Sequence, residues 1–199
     1  MVRLKTREKF NSKSIANKTR DLVYIAICTS LICICSWITI PGTIPFTLQT
    51  FAIFVTLGLL GWRRGLFSIL IYIILGIIGL PVFSYFNSGI GVILGPTGGY
   101  IIGFIFAALI YSLISLFIKN ENVLLILGFS LSLIICYLIG TIWFYYVYSA
   151  NSEISLLSVL TMCVFPFIVP DILKILLAIF VVKNVKKKIN FWYLTLICE

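Results

Sequence analysis

Long uncharged apolar runs separated by short polar segments dominate the chain, and their spacing predicts six helices. Residues 22–40 form the first run, about 28 Å long as a helix and sufficient to cross a bilayer. Two shorter runs follow, 46–60 and 65–80, separated by Gly61-Trp62-Arg63-Arg64-Gly65, a tight polar turn with an aromatic interfacial anchor. At about 22 to 24 Å, these two helices require a thinned or protein-lined region. Residues 97–118 predict a fourth helix, closed by Lys119-Asn120-Glu121-Asn122, and 123–148 a fifth, closed by Ala150-Asn151-Ser152-Glu153. The sixth run, 156–182, is interrupted by Pro166 and Pro170 and followed by Lys183, Lys186, Lys187 and Lys188. No internal repeat is visible, so an inverted-repeat architecture is not supported.

Composition agrees with this pattern. The 199 residues are 61% hydrophobic and 11% charged, with a mean hydropathy of +1.17, which is more apolar surface than one soluble core can hide. The expected fold is an all-α integral membrane protein, a bundle of six transmembrane helices with no large soluble domain. Its predicted parts are a basic tail at 1–21, a membrane domain at 22–182 and a second basic tail at 183–199. The first run is too long for a signal-peptide core and lacks a small-residue cleavage site, so it stays as helix 1.

The net charge of +9 would suggest nucleic acid in a soluble protein, but its distribution gives another meaning. Of the 15 Lys and Arg, 14 lie in the N-terminal tail, the 61–65 turn, the 119–122 turn and the C-terminal tail, which alternate along the chain onto one side. Both termini are therefore predicted to be cytoplasmic, with the protein multi-pass in a membrane. Nucleic-acid binding is not expected. The absence of histidine removes imidazole-based metal sites, nucleophile systems and proton relays. The six cysteines show no close-spaced ligand set, and five of them, Cys28, Cys33, Cys35, Cys136 and Cys163, lie in apolar runs as small packing residues. No metal, no cofactor and no enzymatic activity are expected.

The remaining base, Lys174, lies inside a membrane run together with Asp171. An ionisable side chain in a spanning helix costs about 2.5 to 3.5 kcal/mol on insertion scales and faces a bundle interior or cavity when it persists. The i, i+3 spacing puts both on one helix face, so each offsets the other's burial. Pro170 suits the first position of a helix and predicts a half-helix over 170–182 whose N-terminus lies inside the membrane. That N-terminus, with the Lys174 ammonium, would suit an anionic group, and Asp171 would accept hydrogen bonds from the same ligand. A purely structural ion pair and a proton or ion relay remain alternatives; an intramembrane aspartyl protease would need a second carboxylate.

Segment 81–96 has no charge and mixes large apolar residues with glycines and Asn87, which predicts either a lid folded over the outer mouth of the bundle or plain interfacial packing. The connection 41–50 is likewise uncharged. Gly99, Gly103 and Ala107 on helix 4, and Ala26 with Ser30 on helix 1, have the small-xxx-small spacing that lets helices approach closely. The helix 4 set reads as internal packing and the helix 1 pair as a face for another membrane subunit. No P-loop is present, so uphill transport would draw on an ion gradient or on ATPases carried by other chains.

Five blocks, Pro45-Phe46-Thr47-Leu48-Gln49-Thr50, Gly61-Trp62-Arg63-Arg64-Gly65, Gly79-Leu80-Pro81-Val82-Phe83, the segment 91–100 reading Gly-Val-Ile-Leu-Gly-Pro-Thr-Gly-Gly-Tyr, and Asp171-Ile172-Leu173-Lys174, occur in an order and spacing that resemble the BioY family, biotin-binding S components of energy-coupling-factor transporters. The resemblance covers nearly all of 22–182. It implies six helices, a cavity near the outer side, and work with a membrane T component and two cytoplasmic ATPases. It also implies that Asp171 and Lys174 are the principal biotin contacts, Asn87 a further polar contact from the lid, and Gln49 and Tyr100 wall residues, with Ala26 and Ser30 facing the T component. Where family members carry Pro-Gly before the aspartate, this chain has Val169-Pro170. A solitary ion-coupled biotin transporter and a membrane scaffold with a structural Asp-Lys pair are the competing readings.

Overall fold

The structure, a computed structural model, describes residues 2–42, 44–149 and 155–198, with side chains described within 18–188. It is all-helical apart from one two-residue strand pair. Helix α1 is Val2–Trp37, α2 Gln49–Ile77, α3 Ile90–Leu94, α4 Gly98–Phe117, α5 Glu121–Ser149, α6 Leu156–Cys163 and α7 Phe165–Cys198. Strands β1 (Thr39–Ile40) and β2 (Phe46–Thr47) pair antiparallel, Thr39 opposite Thr47. Among the described residues, five helical stretches are long and apolar enough to cross a membrane: Lys18–Trp37, Gln49–Ile77, Gly98–Phe117, Glu121–Ser149 and Leu156–Lys188.

Helix α2 contains a reversal. Gly61 has φ 73° and ψ 176°, a conformation essentially restricted to glycine. Residues 49 and 72 of a straight helix would lie about 34 Å apart, yet the Gln49 side-chain nitrogen donates to the Tyr72 hydroxyl at 2.7 Å. A Cβ added to Gly65 would also sit 3.4 Å from the Leu57 Cα. The arms 49–60 and 62–77 therefore lie side by side, and the turn expected over 61–65 is concentrated at one residue.

Two of the expected boundaries move. The first helix ends at Trp37, not residue 40, because Thr39 and Ile40 join the strand pair. The last helix does not start at Pro170: α6 stops at Cys163, and α7 begins at Phe165 with Pro170 inside it. Pro166 is the cause of this break, since its ring clashes with the carbonyl four residues earlier and it lacks an N–H. Pro170 withholds a hydrogen bond only from the Pro166 carbonyl, a loss that membrane helices absorb.

Helices α4 and α5 pack through small residues, as the spacing of Gly99, Gly103 and Ala107 predicts. An added Cβ at Gly99 would lie 2.2 Å from Trp143, at Gly103 3.1 Å from the Cys136 sulfur, and at Gly140 2.3 Å from the Tyr100 ring. The Ser132 hydroxyl donates to the Ala107 carbonyl at 2.8 Å. Two ion pairs lie at one end of the bundle, Arg64 with Asp21 at 2.9 Å and Lys186 with Glu121 at 2.6 Å.

The opposite end carries the connections. Trp37 Nε1 donates to the Pro81 carbonyl at 2.8 Å, the Ser36 hydroxyl to the Val82 carbonyl, and the Trp37 and Phe86 rings stack at 5.2 Å. Phe83 is buried against Gly76, and Trp143 Nε1 donates to the Gly95 carbonyl at 3.0 Å. Segment 81–96 is thus tied into the bundle by its own backbone carbonyls.

Candidate functional site

The site begins with the face that α7 turns inward. Asp171, Lys174, Ile175, Ala178 and Val182 are buried, whereas Ile172, Leu173, Leu176, Leu177 and Phe180 are exposed. This spacing is one helical stripe, and it carries both ionisable residues to the bundle interior. Asp171 is 2% exposed and Lys174 4%.

Neither charge is left alone. Lys174 Nζ donates to Asp171 Oδ1 at 2.7 Å, to the Thr47 carbonyl at 2.7 Å and to Thr50 Oγ1 at 3.2 Å. It also lies 3.9 Å from the centroid of the Phe46 ring, a cation–π contact. All three ammonium hydrogens are engaged. Thr50 Oγ1 donates in turn to Asp171 Oδ1 at 3.2 Å, and the Tyr137 hydroxyl donates to Asp171 Oδ2. A buried pair is tolerated only when its remaining lone pairs and protons are met in this way. The strand pair β1–β2 and the first turn of α2 supply the Lys174 side of the network, and α5 supplies Tyr137.

A cavity of about 660 Å³ of empty space, its open part included, lies against this network. Asp171, Lys174, Thr47, Thr50 and Tyr137 form one polar pole. Gln49 and Tyr72, bonded to each other, line it elsewhere, with Phe83, Ser84 and Thr97 entering from the 81–97 segment. Ile44, Ile101, Phe104 and Phe167 make the wall mostly apolar. The Tyr100 hydroxyl lies 3.5 Å from both Thr141 Oγ1 and the Cys163 carbonyl, both long contacts.

Of the residues singled out from the sequence, Asp171, Lys174, Gln49 and Tyr100 come together around this cavity. Asn87 does not line it; it is exposed, and its backbone closes a turn with Phe83 and Ser84. Ala26 and Ser30 lie on the exposed face of α1, where the Ser30 hydroxyl donates to the Ala26 carbonyl at 3.0 Å. The helix N-terminus expected at Pro170 lies instead at Phe165, so its partial charge is not aimed from beside Asp171. Thr50, Tyr72, Tyr137 and the Thr47 carbonyl were not singled out as site residues. Thr47 and Thr50 lie in a block the sequence flags, but Tyr72 and Tyr137 are neutral aromatics in apolar runs and leave no local signal. Among the described residues no group of three or more His, Cys, Asp or Glu could hold a metal ion.

These features define a multi-pass, all-helical membrane protein whose interior holds a mostly apolar cavity ending in a satisfied acid–base pair. Comparison with known proteins makes this specific. The sequence profile of the BioY family matches residues 6–191, and the chain belongs to that family. It is 36% identical over 171 residues to the biotin transporter BioY of Thermotoga maritima, covering 84% of this chain and 96% of that protein. It is 36% identical over 170 residues to the probable biotin transporter BioY of Pyrococcus horikoshii, covering 85% and 98%. Among solved structures it is similar to the S-component for biotin from an ECF-type ABC transporter, with TM-score 0.75 and 31% identity over 86% of this chain and 93% of that one. These relatives are transport proteins, and the chain is not an enzyme.

Proposed function

We propose that this chain captures biotin as the S component of an ATP-driven energy-coupling-factor transporter in a prokaryotic cell membrane. The observation that carries the reading is that Asp171 and Lys174, though 2% and 4% exposed, both line a cavity instead of being sealed between packed helices. Biotin suits such a cavity: a fused ring and alkyl chain match the apolar wall, and ureido and carboxylate groups match a pole that holds both an acceptor and a cation. Asp171 and Lys174 are the principal contacts, with Gln49 and Tyr100 in the wall. Asn87 is a further polar contact from the 81–96 segment, whose Phe83 and Ser84 line the cavity.

Counting the two arms of α2 as separate passes gives six, with both termini and the Arg64–Asp21 and Lys186–Glu121 pairs on the cytoplasmic side. The division at 1–21, 22–182 and 183–199 belongs to the same proposal, although α1 and α7 run through those boundaries without a break. The chain carries no ATP-binding motif of the P-loop type, so the energy comes from a T component and two ATPases, with Ala26 and Ser30 on the docking face. Calorimetric titration of the purified protein tests the capture role: biotin should bind with saturable heat, and thiamine and riboflavin should not. Absence of biotin binding would reject it.

A further inference from the structure

Tyr137 has two surroundings at once. On one side it lines the cavity that holds Asp171 and Lys174. On the other it lines a nearly apolar cleft between α5 and α6, with Ile134, Leu138, Ile142, Leu156 and Leu160 among its walls. Ile134, Leu138, Ile142 and Leu156 are more than half exposed, and both helices belong to membrane-spanning stretches, so this cleft opens toward lipid. The Tyr137 side chain belongs to the partition between the two spaces, which accounts for its intermediate exposure in a span whose neighbour Cys136 is buried.

Its hydroxyl has a defined use. An ionised carboxylate offers about four lone-pair positions. Asp171 Oδ1 accepts from Lys174 and Thr50, and Oδ2 accepts from Tyr137. One position on Oδ2 is left, and the Lys174 ammonium has no hydrogen to spare. A ligand N–H therefore meets the remaining Asp171 position without rearranging the network, whereas a ligand acceptor reaches Lys174 by displacing one of its present partners, of which Thr50 Oγ1 at 3.2 Å is the most distant.

We propose that Tyr137 is a positioning residue for ligand capture: by holding one lone pair of Asp171 Oδ2 from the lipid-side wall, it aims the remaining lone pair at the ligand. The inference rests on the proposed capture of biotin. It is tested with Tyr137→Phe, which keeps the ring in the partition and removes only the hydroxyl, in both the wild-type and the Asp171→Asn backgrounds. In the wild-type background the dissociation constant for biotin should rise about tenfold, while the ligand-free protein stays folded with a single melting transition lowered by a few degrees, as expected for a buried acceptor that loses one donor. In the Asp171→Asn background the same substitution should change affinity less than twofold, because effects that pass through one group do not add. Tyr137→Met keeps an apolar wall and carries the same expectation should the phenylalanine variant fail to fold. Unchanged biotin affinity, or an equal loss in both backgrounds, would overturn the proposal. A wild-type protein that binds no biotin would instead reject the capture function itself.

Discussion

At the scale of single residues, the energetics centre on four side chains and one carbonyl. Breaking a buried ion pair leaves an uncompensated charge, which costs about 3 to 5 kcal/mol in folded proteins. Asp171→Ala and Lys174→Ala should each weaken biotin binding at least tenfold, about 1.4 kcal/mol, with protein still recoverable folded in detergent; unchanged affinity in both variants would remove the pair from the site. Thr50 occupies a different position, since its hydroxyl accepts from Lys174 and donates to Asp171. Thr50→Val removes both bonds at nearly constant shape, and a loss of a few-fold in biotin affinity, read by titration, is expected from net hydrogen-bond worths of about 0.5 to 1.5 kcal/mol. The two charged members are legible in the sequence because an acid and a base inside an apolar run are rare and must be met by something. Gln49 and Tyr100 enter through the family likeness of the blocks around them. Tyr137 and Tyr72 are invisible at that level: a tyrosine in a spanning run is ordinary, and only the tertiary approach of α5 to α7, or of the two α2 arms, gives its hydroxyl a role.

At the scale of elements, the course of the chain is set by where a backbone rule cannot be met. Gly61 lets α2 reverse within one residue, and the reversal brings Gln49 to Tyr72. Gly61→Ala should destabilise the ligand-free protein by about 1 to 3 kcal/mol, since its φ/ψ lies in a region essentially closed to other residues. A melting temperature lower by several degrees would show this, and an unchanged one would mean that the turn relaxes. The last helix teaches a related lesson about proline. Both Pro166 and Pro170 disfavour helix, and a pattern reading cannot rank them. What ranks them is whose carbonyl is lost: that of Met162 at the end of α6 in one case, that of Pro166 within the first turns of α7 in the other. The break accordingly falls at Val164, and Asp171 stands one and a half turns inside a helix, held by side chains instead of by a helix terminus.

At the scale of the whole molecule, the exposed surface is as informative as the cavity. Leu22, Val23, Ile27 and Ile34 are exposed on α1, next to Ala26 and Ser30, and the Ser30 hydroxyl is already spent on the Ala26 carbonyl. What this face offers a neighbour is therefore a small, apolar and internally satisfied strip, the surface against which another spanning helix packs most closely. The polar pole of the cavity is built from β2, α2, α5 and α7, so the proposed capture and docking surfaces are separate and are tested by separate substitutions. Ala26→Leu combined with Ser30→Leu should leave biotin affinity within twofold of wild type while abolishing co-purification with the T component and ATP-dependent biotin uptake in reconstituted vesicles. Retained uptake in the double variant would move the docking face elsewhere. Uptake by the chain alone that an uncoupler abolishes would favour solitary ion-coupled transport, and the exposed strip on α1 would then face only lipid.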